Sequence, residues 1–230
     1  MTPRKPMTPL EEAPRLIEQV YKRLLDAISD YSLAPGARIR QGDLADKLGV
    51  SRQPISHALH LLHRQGLVVE AGRKGFRVTP VDPDHIRRMY EVRGALDGLA
   101  ARLAAARVRD DEPGARKLEA ALRHGRGITA NTPLPELTQR DVAFHQALYE
   151  LSGNSVIADT IGPQWPHMRR AMASVLSMPR YPLTVWEEHA TIAKCVLAAQ
   201  PDEAERAARS HALNAGHAIV ERLKATTEAA

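Results

Sequence analysis

The chain has 230 residues, 43% of them hydrophobic, and a formal net charge of +5 at pH 7, so it can bury a substantial core in one large domain or two modest ones,. Its single cysteine excludes an internal disulfide framework and a cysteine-based metal cluster, and it is compatible with a reducing compartment,. Because the sequence contains neither a signal-peptide core nor an apolar run of membrane-spanning length, we expect a soluble, cytoplasmic protein with no membrane partner,.

Charge divides the chain into two parts. Residues 1–81 contain 13 basic residues (Lys and Arg) and 8 acidic residues (Asp and Glu), whereas residues 82–230 contain 19 basic and 19 acidic residues. The excess positive charge therefore lies in the first third, which favours a polyanionic partner for a small basic domain, although a solvated basic surface is the alternative. We predict a flexible arm at residues 1–12, a basic domain at 13–80 and a helical domain at 82–225.

The first third has the pattern of three short helices followed by a hairpin. Apolar residues at helical spacing predict a helix over residues 14–31, and a second helix is expected over 42–48,. Ser51 is placed to cap a third helix, which puts Pro54 in the first turn, where its missing N–H costs little. After Gly66, two β-rich runs joined by a Gly-Arg-Lys-Gly turn predict the hairpin,.

The third helix has one apolar side and one polar side. The polar side has no carboxylate between Lys47 and Val69, although acids are common on a solvated helix face and would repel phosphate,. A short helix, a glycine turn and a second helix with polar groups near its N-terminus is the layout that places the second helix in a DNA major groove. The residues expected to contact DNA are Arg52, Gln53, Ser56, His57 and His60, with Arg73 and Lys74 at the hairpin tip,. His60 and His63, one turn apart, offer two metal donors instead, but no third ligand is apparent.

The run GDLADKLGVSRQPISHALHLLHRQGLVV, followed by GRKGFRV, resembles the winged helix-turn-helix of GntR-type bacterial transcription regulators. The resemblance covers residues 14–80 and implies binding to a double-stranded DNA operator. One departure is that the family's frequent Arg-Glu pair after the Pro-Val step is Ser56-His57 here. An arginine that often contacts the operator in relatives is therefore absent, which shifts weight to Arg52 and its neighbours.

From Asp82 onward the pattern is wholly helical, with breaks at clusters of proline, glycine and asparagine,. Short connections favour antiparallel neighbours, so we predict an all-α antiparallel helical bundle and, with the winged helix-turn-helix domain, a mainly α fold. The six helices are expected at residues 83–109, 112–126, 134–152, 154–176, 183–199 and 201–225.

Four polar residues of this bundle have the spacing of metal ligands. Asp141 and His145 are four residues apart and share one face of a helix,. His189 lies 12 residues before Pro201 and His211 lies 10 after it, so on antiparallel helices they reach a similar depth,. One carboxylate and three imidazoles suit a divalent ion such as zinc, nickel, iron or manganese. The alternative is that each polar residue is hydrogen-bonded individually or exposed.

The second part of the chain resembles the helical effector-binding (FCD) domain of the FadR-like branch of GntR regulators. The resemblance lies in the order Asp-x-x-x-His, then Glu-His, then a histidine in the last helix. The resemblance spans residues 82–225 and implies a bound divalent metal that a small carboxylate effector coordinates. The metal ligands that match position by position are Asp141, His145, His189 and His211. Six helices fit the shorter form of this domain better than the seven-helix form.

Arg93 and Asp97 lie on an apolar stripe of the first helix of this domain. A buried guanidinium requires a partner, and an internal ion pair between these two residues is one interpretation. The other is that Arg93 binds a carboxylate of the effector beside the metal. Asn154 is interpreted as a helix N-cap, and both Glu187 and Glu188 are interpreted as pointing away from the cluster that contains their neighbour His189.

The sequence thus predicts a transcription regulator, not an enzyme, whose operator affinity is controlled by a small acid bound at a metal in the helical domain. A homodimer is expected, because one short recognition helix reads few base pairs and two-fold symmetry doubles the site. Two alternatives are a metal-dependent enzyme that uses the Asp/His cluster, for which no general base is apparent, and a purely architectural DNA-binding dimer.

Overall fold

The computed structural model of the protein describes most of the chain, namely residues 14–72, 75–129, 132–178 and 181–228. The predicted arm at residues 1–12 lies outside this described part. The chain forms two compact units: the first comprises the residues up to Ile28 together with Leu33–Thr79, and the second comprises Ser29–Ser32 together with the residues from Pro80 onward. None of the described helices combines the length and the apolar character that a bilayer span requires,.

In the described part of the first unit, three helices accompany a small antiparallel sheet. The elements are α1 (Pro14–Ser29), β1 (Arg38–Arg40), α2 (Gln41–Leu48), α3 (Arg52–Arg64), β2 (Val68–Glu70) and β3 (Gly75–Val78). The strand order is β1-β3-β2, so the predicted hairpin of β2 and β3 is confirmed. Strand β1, which pairs with β3 along its length, was not predicted, because three residues are too few to show a strand periodicity,.

Helix α3 begins where the sequence predicts. Ser51 occupies the N-cap position with an extended backbone, although its side chain makes no capping hydrogen bond, and Pro54 lies in the first turn, where an N–H has no intrahelical acceptor,. Gly49 ends α2 in a left-handed conformation (φ 65°) that glycine adopts without steric cost,. The apolar side of α3 is buried in the core of this unit, through Ile55, Ala58, Leu59 and Leu62.

The described part of the second unit is a bundle of seven α-helices, one more than predicted. They are α4 (Pro83–Arg107), α5 (Glu112–Arg126), α6 (Leu134–Ser152), α7 (Ser155–Ile161), α8 (Trp165–Leu176), α9 (Tyr181–Leu197) and α10 (Pro201–Glu228). The single helix predicted over residues 154–176 is wrong, because a 3₁₀ turn at Gly162–Gln164 separates α7 from α8. Pro163 explains the break, since it has no N–H to donate and its ring crowds the carbonyl of the preceding turn. The expected six-helix form is wrong for the same reason.

Helices α4 and α10 approach each other closely because glycines lie at their contact. A Cβ atom on Gly216 would lie 2.5 Å from the Cβ of Tyr90, and one on Gly94 would lie 3.3 Å from the side chain of Leu213. A side chain at Gly216 would push the helices apart, whereas one at Gly94 would require the side chain of Leu213 to shift by a few tenths of an ångström,. The close contact places Tyr90 of α4 and His211 of α10 on the walls of one cavity.

Candidate DNA-binding face and candidate metal and effector site

The polar side of α3 faces solvent. Five residues of α3 are predicted to contact DNA. Ser56 is half-buried, and the other four are exposed, namely Arg52, Gln53, His57 and His60. The ring of His60 meets Phe76 of β3 edge-on, with centroids 5.6 Å apart, and His63 packs on the same ring at 6.1 Å. Within the described residues, these two histidines belong to no group with a third metal ligand. The contact with Phe76 therefore orients both imidazole rings, and both histidines remain exposed to solvent.

The sheet adds exposed positive charge that the sequence pattern did not reveal. Arg38 and Arg40 alternate with the buried Ile39 on β1, and both face solvent. Arg77 of β3 pairs in register with Arg38 and is also exposed. The predicted hairpin-tip residues Arg73 and Lys74 lie outside the described residues.

Three helices bring the four predicted metal ligands together in the interior of the bundle. Helix α6 supplies Asp141 and His145, α9 supplies His189 and α10 supplies His211, and each of these residues is at most 4% exposed. One ring nitrogen from each histidine lies within 4.8 Å of the other two. The Nε2 atoms of His189 and His211 are 3.2 Å apart, and Asp141 Oδ1 is 3.5 Å from His189 Nε2. Residues up to 70 positions apart in the sequence thus converge on one point.

A hydrogen bond to Glu188 determines which nitrogen of His211 faces the cluster. An ionised carboxylate only accepts, so His211 donates from Nδ1 to Glu188 Oε2 across 2.7 Å, and its Nε2 faces His189 as the nitrogen available to a metal,. Asn214 donates to the other oxygen of Glu188. Burial raises the pKa of Glu188, but the hydrogen bond and charge of His211 and the hydrogen bond from Asn214 together outweigh this effect and hold the pKa below its ordinary value.

The interpretation that Glu188 points away from the site is therefore wrong. Consecutive residues on a helix point about 100° apart, which turns His189 to the interior and leaves Glu188 beside α10. There it is half-buried and reaches His211 on the neighbouring helix. A partner on a second helix was not visible from the spacing within α9.

Arg93 of α4 lies between a carboxylate and a histidine. Its Nε donates to Asp97 Oδ2 across 3.1 Å, which confirms the predicted ion pair. Its Nη2 donates to His145 Nε2 across 2.7 Å, a contact that the sequence did not reveal. Because a guanidinium only donates, His145 accepts through Nε2 and carries its proton on Nδ1, which lies 3.5 Å from Asp97,. Tyr149 donates to the second oxygen of Asp97.

The donors in the cluster fit a divalent metal ion. Burial lowers the pKa of His145 and of His189 well below the ordinary value, and the nearby charge of Arg93 adds to this effect, so both imidazoles are in the neutral form that binds metals,. Asp141 Oδ2 is buried and has no hydrogen-bond partner in the described structure, although buried carboxylate oxygens normally have one,. Imidazole nitrogens with one carboxylate suit zinc, nickel, iron or manganese.

Aromatic rings hold His189 in place. Phe144 stacks on its imidazole with centroids 4.2 Å apart and an interplanar angle of 16°, and Trp186 meets it edge-on at 4.7 Å. Gly125 of α5 lies against Trp186 so closely that a Cβ atom there would fall 1.9 Å from the indole ring. The orientation of His189 thus depends on packing through three helices.

A narrow cavity opens beside Asp141 and His211, with about 10 Å³ open to the centre of a water molecule. This is room for about one water. Arg93, Tyr90 and Tyr181 also line it. Its other walls are apolar and come from α8, α9 and α10: Met172, Val175, Leu176, Val185, Ala215 and Ile219.

Comparison with known proteins finds relatives for both parts of the chain. Residues 16–78 match the bacterial regulatory proteins of the gntR family, and residues 88–214 match the FCD domain. An uncharacterized HTH-type transcriptional regulator in an unstable DNA locus of Streptomyces ambofaciens is 32% identical over 214 residues, which cover 90% of this chain and 85% of that one. The HTH-type transcriptional repressor RspR of Escherichia coli K12 is 24% identical over 84% of each chain. The structure of Escherichia coli McbR/YncC shares the fold, with a TM-score of 0.70 at 20% identity over 90% of this chain and 97% of that one.

Proposed function

The chain belongs to the gntR family of bacterial regulatory proteins and carries an FCD domain, and we propose that this DNA-binding transcriptional regulator senses a small carboxylic acid through a metal ion in that domain. Its family and its relatives are transcriptional regulators, so the catalytic alternative does not apply. The observation that carries the proposal is the convergence of three buried imidazoles on one point, beside a buried carboxylate oxygen that has no hydrogen-bond partner in the described structure.

On the DNA side, we assign base reading to the first two turns of α3. Arg52 suits the paired acceptors of guanine, Gln53 suits adenine, and Ser56 contacts either. His57 and His60 extend the same exposed face. Contacts to the phosphate backbone are assigned to the exposed arginines of the sheet and to the hairpin tip, namely Arg38, Arg40, Arg77, Arg73 and Lys74,.

On the effector side, the residues that would hold the metal are Asp141, His145, His189 and His211. A bound divalent ion supplies a Lewis-acidic position for a carboxylate oxygen. Glu188 orients His211 by accepting from its Nδ1, as carboxylates beside metal-binding histidines do,. Arg93 donates to the same His145 nitrogen that a metal would use, so once His145 turns that lone pair to an ion, Arg93 Nη2 is free to bind an acid,.

The acid changes operator affinity only if it binds two arrangements of the protein unequally. We assign the protein a homodimeric form, because paired recognition helices read two half-sites of a two-fold operator. A purely architectural DNA-binding dimer would show operator affinity that neither metal nor acid alters.

The test is the metal content of purified protein incubated with zinc. His211→Ala removes one imidazole from the cluster, whereas His217→Ala removes an exposed imidazole from the same helix. We expect one ion per chain in the wild type and in His217→Ala, and loss of stoichiometric metal in His211→Ala. Full occupancy in His211→Ala would remove that residue from the site. A native mass spectrum of the same samples reports the subunit number, and a monomer would contradict the dimer.

A further inference from the structure

The cavity beside Asp141 and His211 can neutralise few charges. Of the described residues that line it, Arg93 is the only one with a permanent positive charge. Together with a metal at the histidines, it can hold one carboxylate. A second carboxylate on the ligand would lie among apolar side chains such as Val175 and Ile219 without a partner, which is strongly unfavourable,.

The hydroxyl of Tyr90 is the second polar feature of this cavity. Tyr90 is 1% exposed, and its oxygen makes no hydrogen bond of normal geometry with the described residues. The guanidinium of Arg93 lies 5.2 Å from its ring but only donates, so it cannot accept the phenol proton,. Buried hydroxyls nearly always find an acceptor, and a ligand oxygen in the cavity would provide one.

The space for the rest of a ligand lies past Leu176. This residue ends α8, is buried, and lines both the narrow cavity and a second cavity of about 470 Å³. Apolar residues such as Leu134, Leu137 and Pro182 form most of the described wall of the second cavity, and Thr129, Thr132 and Ser177 add hydroxyl groups to it. A hydrocarbon chain that starts beside Arg93 therefore meets apolar surface along its path, provided that Leu176 turns aside.

We infer that the effector is a monocarboxylic acid with an apolar body. Its carboxylate accepts from Arg93 and Tyr90, and its hydrocarbon tail passes Leu176 into the second cavity. The inference rests on the proposed function for the position of the carboxylate. It goes further in excluding dicarboxylates, because Arg93 is the only cation among the described residues that line the two cavities and a second carboxylate would have no positively charged partner,.

Hexanoate and adipate test this inference, because they have the same chain length and differ by one terminal carboxylate. The zinc content of the full-length chain is measured first, and calorimetry then gives the affinity for each acid. We expect hexanoate to bind at least ~10-fold more tightly than adipate, because the second carboxylate of adipate would lose water without gaining a positively charged partner among the described residues,. Equal affinities, or binding of neither acid to zinc-loaded protein, would overturn the inference while leaving the metal site intact. Failure to bind zinc, with hexanoate still preferred over adipate, would instead contradict the metal part of the proposed function and support the ligand class.

Two variants locate the ligand within the site. Tyr90→Phe removes only a buried oxygen and is expected to weaken hexanoate about 10-fold with zinc content unchanged, because the carboxylate loses one donor. Leu176→Trp fills the passage and is expected to weaken hexanoate by at least ~10-fold while leaving acetate unaffected, whereas Val156→Phe, on the exposed surface of α7, is the size-increase control,. Wild-type affinity for hexanoate in Tyr90→Phe would contradict the assigned position of the carboxylate, even if Leu176→Trp fails to fold.

Discussion

The exposed side of α3 and the interior of the helical bundle use the same residue types in opposite surroundings. On α3, Arg52 and His60 project into water and require a partner from outside the protein. In the bundle, Arg93 and His145 are at most 1% exposed and hydrogen-bond each other from different helices. Substitutions on α3 should therefore change recognition alone, whereas substitutions in the bundle should change stability and ligand binding together.

The largest effect is expected from Asp97→Ala, because it leaves the guanidinium of Arg93 buried without its carboxylate. Loss of one partner of a buried pair costs about 3–5 kcal/mol of folding free energy. Arg87 and Glu91 form an ion pair with the same spacing on the same helix, but their side chains are 50% and 54% exposed. Glu91→Ala should cost about 0.5 kcal/mol or less.

Urea unfolding followed by circular dichroism gives both free energies. A similar small loss in the two variants would show that the buried network contributes no more than a solvated pair. Such a result would contradict the expectation that substitutions in the interior of the bundle reduce stability.

A smaller effect, seen only in DNA binding, is expected from Arg52→Ala. The variant should lose about 1–3 kcal/mol of affinity for the operator and relax the base preference at one position, with its unfolding curve unchanged. Arg64→Ala, at the other end of α3, should leave base preference intact. Fluorescence anisotropy on the operator and on random DNA distinguishes the outcomes, and an equal loss on both would identify Arg52 as a phosphate contact.

An effect of similar size, confined to metal binding, is expected from Glu188→Gln, which keeps the size of the side chain but weakens its hydrogen bond with His211. Metal affinity should fall about 10- to 100-fold, as is typical when the hydrogen-bond partner of a metal-binding histidine is lost. Glu187→Gln, at the adjacent exposed position, is the matched control. Competition with a zinc chelator measures both affinities, and equal affinities would show that Glu188 does not orient His211.

Local chemistry made much of the fold predictable. Gly49 and Pro54 mark a helix end and a helix start through backbone preferences that hold in any fold,. Asn154 caps α7 by accepting from the N–H of Val156, as predicted,. The break at Gly162–Gln164 was missed because a hydrophobic pattern continues across it.

The sequence predicted those contacts of the site that join residues within one helix, because only these follow from residue spacing. The Arg93–Asp97 pair follows from a separation of four residues,. The hydrogen bond from Arg93 to His145 and that from His211 to Glu188 each join two helices, and no periodicity within one helix encodes them. Strand β1 was missed for a similar reason, because its partner lies more than 30 residues later in the chain.

The network of Arg93, Asp97 and Tyr149 has a consequence for the order of events in a newly synthesised chain. In a zinc finger the ion supplies the free energy of folding, and the peptide remains unfolded until it arrives. Here the guanidinium provides an internal positive charge within hydrogen-bonding distance of both Asp97 and His145. We therefore expect the helical bundle to fold first and to bind the proposed ion afterwards, so a cell that is short of metal would accumulate folded, metal-free protein.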